Sequence, residues 1–535
     1  LKIKKSSNNA QVSSNNGCYD LAGAVYGLYE DEDCTKEAAR LTTDAAGEAQ
    51  VEDLLSGTYY LKELTPAKGY ALDQRVHVVE VPGGDIAAVE VSDVPQTCPI
   101  EIAVHKLDAE KGEAEAQGGG TLEGAEFRLD FYAGNYDAGN LPDRPAQTWT
   151  LRTSADGTAR LDASLPLGTV AVTETKAPKG YLPEGRTQIV HITSEGTAET
   201  VHTYLAPSAE DLPIRGDVSF VKADEDSQRR MANVAFRITS ATTGESHIAV
   251  TDENGIFDST VFSADEKSNA NDAAVDASGT VDDEKLAPDA GIWFGEASAD
   301  RSRGSLLYDV YELEELRCAA NEGHRLVSAS FTVSREGRII HLGTFDDKEV
   351  RIGTTLSYRA GEKVCPADSQ VELIDEVAFE NLEAGHGYVL EGELHLIDAD
   401  GTDEGVVSDT RAEFSPRLSS GTQQVSFSVD TTGLGGKKLV AYERLLDGDD
   451  VIAEHADPND EGQTVTVPSI GTTLEGNAGH EADATAQAVR LVDTVEYRGL
   501  EPGASYEVTG TLHIKDEQGN DAGALTDADG NPVTA

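Results

Sequence analysis

The sequence predicts an all-β protein, with antiparallel β-sandwich domains in tandem forming an elongated rod. Short runs such as "VHVVEVP", "IEIAVHK", "DVSFVKA" and "KKLVAYERL" alternate apolar and polar residues with the period of a strand, and Gly, Asp, Asn and Pro bound them. Sustained helical periodicity is scarce. The chain also repeats itself, and its 535 residues are far too many for one core, so each repeat is expected to be a domain.

Taken in order, three units share one pattern. The first (1–97) holds "LAGAVYGLY" (21–29), "LTTDAAGEA" (41–49) and "GTYYLKELTPAKGY" (57–70). The second (98–212) answers with "LEGAEFRLD" (122–130), "LRTSADGTA" (151–159) and "GTVAVTETKAPKGY" (168–181). The third (213–350) carries an insertion and holds "MANVAFRIT" (231–239), "AVTDENGIF" (249–257) and the looser "YDVYELEELRCAANEGH" (308–324). A fourth unit (351–468) and a fifth (469–535) follow a different pattern: "IGTTL" occurs at 352–356 and again at 470–474. "LIDEVAFENLEAGHGYVLEGELHLID" (373–398) lies over "LVDTVEYRGLEPGASYEVTGTLHIKD" (491–516), so Asp375 falls on Asp493 and Gly392 on Gly510. The offset is 118 residues, and the fifth unit, with 66 from Ile470 onward, reads as cut short.

Composition excludes several function classes. The chain has 42 basic against 97 acidic residues, dispersed along its length, a surface that repels nucleic acid and anionic lipid. No window reaches the roughly 18 apolar residues of a membrane span. No HExxH, P-loop, GxSxG or dinucleotide fingerprint is present, so neither an enzyme nor a cofactor is expected. The cysteines Cys18, Cys34, Cys98, Cys318 and Cys365 form no CxxC or Cys/His spacing, so no metal is expected. Cys18 and Cys34 flank one strand and its turn and could close a local disulfide in an oxidising compartment. "DADGTDEG" (398–405) has its glycine too early for an EF-hand and suits a hairpin turn. "RGD" (215–217) leads directly into a strand of the third unit.

The first three units each open on an alternating strand that ends in lysine: Leu1, Ile3, Lys5; Ile102, Val104, Lys106; Val218, Phe220, Lys222. Period two turns these lysines toward the core, where desolvation favours the neutral, nucleophilic amine. Glu63, Glu174 and Glu315 stand in phase with Leu61, Val172 and Leu313, and a buried carboxyl can hold a proton for transfer. An acyl acceptor on the closing strand would complete a reactive trio. The first unit supplies Asp93, in phase with Val89 and Val91 just before Pro95. In the second, Leu205 stands two residues before Pro207, so no bond is expected there; the third offers Asp346 or Asp347.

These residues resemble the Cna-B or SpaA-like domains, of prealbumin type, in Gram-positive surface adhesins and pilins. The resemblance implies an Ig-like or prealbumin-like sandwich and a spontaneous isopeptide bond, with Lys5 as nucleophile, Asp93 as acceptor and Glu63 as proton shuttle. It implies the same for Lys222 with Asp346 or Asp347, helped by Glu315. The 118-residue units resemble the T-Q ester-bond domains of VaFE-repeat proteins, and "DEVAFENL" carries Val377, Ala378, Phe379 and Glu380. There the resemblance implies that Thr354, which shares a face with Ile352 and Leu356, attacks Gln463 in "VIAEHADPNDEGQTV" (451–465) and expels ammonia. His455 would be the base, supported by Asp375 and Glu443. In the fifth unit Thr472 and Asp493 match, but no glutamine partner is present. Together these resemblances imply a covalently stapled, monomeric stalk of a wall-anchored protein outside the cell. Its partners would be the cell wall and a component of a host or neighbouring cell surface.

Overall fold

The computed structural model describes residues 1–476 and 489–535. The chain forms two compact bodies, one of residues 1–223, 228–320 and 326–346, the other of 224–227, 321–325 and 347–535.

The first body stacks strands in the three predicted units. In the first unit Lys2–Ser7 lies between Glu48–Gln50 and Ala88–Asp93, facing a sheet ordered Glu37–Thr42, Val25–Tyr29, Gly57–Thr65, Val76–Val81. Ile3, Tyr26, Leu28, Leu61, Val79 and Val91 fill the space between. The second unit repeats this with Val104–Asp108 between Thr158–Ala159 and Ser208–Pro213, against a sheet containing Glu126–Tyr132 and Gly168–Lys176. The third pairs Arg215–Asp224 with Ile256–Asp258, Leu306–Leu307 and Ile339–Asp347 over a Phe-rich core of Phe220, Phe236 and Phe257.

One feature departs from a purely antiparallel reading. In the first two units the opening and closing strands pair in parallel, Lys5 opposite Val91 and Lys106 opposite Ala209. In the first unit Val25–Tyr29 with Glu37–Thr42 and Gly57–Thr65 with Val76–Val81 are hairpins, while the last strand crosses over from that sheet and arrives running the same way as the first.

The glycine of the thrice-repeated turn has a specific duty. Gly47, Gly157 and Gly255 have φ of +72°, +73° and +66°, and a Cβ there would stand 2.5, 2.7 and 2.8 Å from the carbonyl oxygens of Lys5, Lys106 and Lys222. Each glycine carbonyl accepts the amide of that same lysine, at 2.7, 2.7 and 2.8 Å. The turn thus fixes the lysine backbone in a way only glycine permits.

Polar contacts join the units of this body. Gln96 is fully buried; its Nε2 donates to the Glu195 and Ala198 carbonyls at 3.0 and 2.8 Å, and its Oε1 accepts from the Ser194 hydroxyl. Arg215 is fully buried too, bidentate to Glu110 at 2.8 and 2.7 Å, with its guanidinium 3.9 Å above the Trp293 ring. The RGD tripeptide is therefore a junction strand, its arginine withdrawn from any outside ligand.

The expected Cys18–Cys34 disulfide is not formed: all five cysteines are free thiols. The strand Val25–Tyr29 stands between the two in the chain. Cys18 is buried beside Asn135 of the second unit, and Cys34 sits in the turn after the strand.

In the second body a sheet of Arg351–Tyr358, Val371–Glu380 and Gly421–Val429 faces one ordered Asp403–Phe414, Tyr388–Ile397, Lys438–Asp447, Asp450–His455. Leu356, Leu373, Val377, Leu394 and Phe427 form its core. The stretch 398–402 is a hairpin turn closed by Gly401, whose amide donates to Asp398 at 2.9 Å. Among the described residues of the fifth unit, Ser469–Glu475 pairs with Val492–Arg498, and His513–Lys515 with Asp521–Ala524.

Candidate cross-linking sites

Period-two alternation brings the first trio together. Lys5 Nζ contacts Asp93 Oδ2, donates to Glu63 Oε1 at 2.8 Å, and reaches the Tyr26 hydroxyl at 3.0 Å. The side chains of Lys5, Glu63 and Asp93 have no exposure to solvent. Glu63 is oriented by the Asp73 amide, which donates to its other oxygen at 2.7 Å. Burial pushes the Asp93 carboxyl up to about 7 against the pull of Lys5, with the Glu63 charge adding to the rise. Tyr26, one strand away, was not singled out by the sequence.

The second unit overturns the expectation that it lacks an acceptor. Lys106 Nζ is 2.6 Å from Asp211 Oδ1 and 3.2 Å from Glu174 Oε1, all of them buried. Leu205 is highly exposed; the closing strand begins only at Ser208. Its register matches the first unit, for Asp93 and Asp211 each lie two residues past the partner of the lysine and so on the same face. Burial pushes Glu174 up to about 7, Lys106 opposing and Asp211 assisting.

In the third unit Lys222 Nζ donates to Glu315 Oε2 at 2.9 Å, and the Val327 amide donates to that same oxygen at 2.9 Å. Of the two acceptor candidates Asp347 is buried and Asp346 exposed. A backbone bond recurs through the three units: Asn8 donates to the Asp93 carbonyl, Ala109 to that of Asp211 and Glu225 to that of Asp347, at 2.9, 2.8 and 2.8 Å.

The fourth unit gathers the predicted threonine cluster. Thr354 is 6% exposed, and Gln463, Asp375 and Glu443 are fully buried. The Thr354 amide donates to His455 Nδ1 at 3.2 Å, while the Gln463 carboxamide donates through Nε2 to the His455 carbonyl at 3.0 Å. His455 thus tethers both reactants, and its Nε2 lies 3.3 Å from Asp460. The Thr354 side chain acts on the Asp375 carboxyl, pulling its pKa down against the effect of burial. Burial raises Asp375 and pushes Glu443 up to about 10, the latter helped by Asp375 beside it. The Asp457 amide donates to Gln463 Oε1 at 3.3 Å, a backbone donor aimed where an oxyanion would develop and one that the sequence did not reveal.

Comparison with known proteins finds two domain families along the chain. A family model for a prealbumin-like fold domain, SpaA, matches residues 8–95 and 101–204, and one for a T-Q ester bond containing domain matches 350–467 and 468–535. The chain carries domains of both families. No curated protein matches it significantly. Among solved structures, the Bacillus anthracis TIE protein is similar at 16% identity and a TM-score of 0.30, over 82% of this chain and 68% of that one. A Mobiluncus mulieris adhesin containing intramolecular disulfide, isopeptide and ester cross-links is 13% identical at a TM-score of 0.21, over 28% and 74% of the two chains. The major pilin subunit of Bacillus cereus is 14% identical at 0.27, over 65% and 99%. The range 8–95 includes Glu63 and Asp93 of the first trio, 101–204 includes Lys106 and Glu174 of the second, and 350–467 contains the threonine cluster.

Proposed function

We propose that this chain is a stalk of a bacterial surface adhesin or pilus, lying outside the cell and joined in the complete protein to the cell wall, in which most domains close an internal covalent bond. The observation that carries the reading is the twofold recurrence of a fully buried lysine between an aspartate and a glutamate, in one register, in two SpaA-type units. Burying three ionisable groups together costs several kcal/mol per uncompensated charge, and condensation removes the charges of the lysine and the aspartate.

In each trio the lysine nitrogen attacks the aspartate Cγ, the new C–N bond replaces a C–O bond, and water leaves. The glutamate takes a proton from nitrogen and returns it to the departing hydroxyl. Lys5 with Asp93 and Lys106 with Asp211 are the pairs, shuttled by Glu63 and Glu174; in the third unit Lys222 is the nucleophile, Glu315 its shuttle and Asp347 the buried candidate acceptor. In the T-Q domain Asp375 takes the Thr354 hydroxyl proton, the oxygen attacks Gln463 Cδ, and ammonia leaves with that proton. The Asp457 amide polarises the carbonyl, and His455 holds both reactants instead of acting as the base. These reactions each occur once per molecule, with proximity as the main source of rate.

A bond between Lys5 and Asp93 would close a loop of most of a domain, and the lost loop entropy of the unfolded chain is worth roughly 4–5 kcal/mol by analogy with disulfides. Heat, proteases and tension would all meet the bond before they could open the fold. The stalk would present a binding region to a host or neighbouring cell surface. Intact mass under denaturing, reducing conditions tests the chemistry. Loss of one ammonia and at least two waters, with linked peptides mapped to Lys5–Asp93, Lys106–Asp211 and Thr354–Gln463, is the expected outcome; an unmodified mass from folded protein refutes it.

A further inference from the structure

Beside the threonine cluster one charged side chain has no part in the chemistry so far. Lys363 lies in the loop between Arg351–Tyr358 and Val371–Glu380. Its Nζ donates to the Leu356 carbonyl at 2.5 Å and to the Gly462 carbonyl at 2.6 Å. Those carbonyls belong to the two reacting segments: Leu356 is two residues past Thr354 on one strand, and Gly462 directly precedes Gln463. The Leu356 amide also donates to Gly462 at 2.9 Å. The loop backbone closes the clasp, with Thr466 donating to Lys363 at 2.9 Å and Cys365 to Thr466 at 3.1 Å.

Water could satisfy two edge carbonyls without ordering a long side chain, whose immobilisation costs about 2 kcal/mol of rotamer entropy. Burial also disfavours the ammonium here and lowers its pKa, an effect that Asp375 and Asp460 offset only in part. A cation held at such cost on two backbone oxygens, one from each reactant segment, acts on their mutual placement. We infer that Lys363 is a positioning residue for ester formation, its ammonium clamping the strand of Thr354 to the segment of Gln463 so that hydroxyl and carboxamide meet before the bond closes. The inference rests on the ester reading above. After closure the bond itself does the clamping, so the effect belongs to the rate of linking.

The test uses the full chain made by cell-free synthesis, denatured at intervals, with ammonia loss mapped to the Thr354–Gln463 peptide. Lys363→Met is expected to fold and to link at least about tenfold more slowly, since small misplacements of reacting groups cost that much or more. Lys363→Arg, a cation that reaches both carbonyls, is expected to recover most of the rate, which a mere packing role for the stem does not require. Lys363→Gln serves if the methionine variant fails to fold, and is expected to be slow as well. A folded Met or Gln variant that links at the unaltered rate overturns the inference, as does a folded Arg variant as slow as Met. An unaltered chain that never loses ammonia overturns the ester reading instead, and water losses in the SpaA-type units report on folding of the same molecules.

Discussion

Alanine at Gly392 probes how the T-Q domain houses its acid pair. Gly392 lies opposite Glu443 across two paired strands, and a Cβ there would stand 2.7 Å from both Glu443 carboxylate oxygens and 2.8 Å from Phe427 Cζ. Glu443 and Phe427 are fully buried, so neither can give way into solvent. Overpacking of this kind costs about 1–3 kcal/mol, while alanine recovers roughly 0.5–1 kcal/mol over glycine in an extended strand, leaving a net loss of about 0–2.5 kcal/mol. The larger effect falls on the chemistry, because shifting the Glu443 carboxyl by ~1 Å away from Asp375 is expected to slow ester formation about a hundredfold. Gly510 occupies the same place in the second repeat with nothing within 4 Å of its Cβ position, so Gly510→Ala is the control, neutral to within ~0.5 kcal/mol. Linking is read by denaturing mass, and stability by guanidinium unfolding in a Thr354→Ala background that cannot form the ester. Full linking at the unaltered rate with an unchanged unfolding midpoint would refute the argument.

Other consequences are open to direct measurement. Asp211→Ala leaves Lys106 buried with Glu174 alone; the shortfall of intact mass from the sequence mass should shrink by one water and the second unit lose about 3–5 kcal/mol, and an unchanged shortfall would contradict the assignment. Burial opposes charge on His247, yet hydrogen bonds to Asp272 and Glu245 raise it to about 9. Its contribution, roughly 3 kcal/mol at most, is therefore full below the unfolded value near 6.5 and lost as pH rises through 9. Amide protection factors over Ser246–Val250, corrected for intrinsic base-catalysed exchange, should fall across that window in the unaltered chain and stay constant in His247→Gln. Alkylation of denatured, unreduced protein should label all five cysteines; three labels would restore the disulfide.

The sequence carried the fold wherever alternation was regular. Ile3 with Lys5 and Leu61 with Glu63 are each two residues apart, and period two alone puts both charged groups into the core. What it could not supply was register. Asp93-Val94-Pro95 recurs in the second unit as Asp211-Leu212-Pro213, but Pro207 stands closer to the expected position and drew the closing strand six residues early. The choice between Asp346 and Asp347 failed for the same reason, since a slip of one residue exchanges the two faces of a strand. Cys18 and Cys34 look adjacent because the strand between them is invisible as a length until the turn is fixed. Lys363 was illegible on different grounds: it contacts backbone carbonyls, which every residue possesses, so no side-chain pattern marks its partners.

Parallel pairing of first and last strands bears on how far the chain can be drawn out. With Lys5 joined to Asp93, residues 6–92, roughly 300 Å of fully extended chain, lie outside the path from one end of the unit to the other. What remains between Asp93 and Lys106 is a connector of about a dozen residues, roughly 40 Å at full stretch. Stapled units yield only at their connectors, and a single-molecule extension trace would show short steps set by the spacers between them, with the long releases of unravelled sandwiches confined to units that lack a bond.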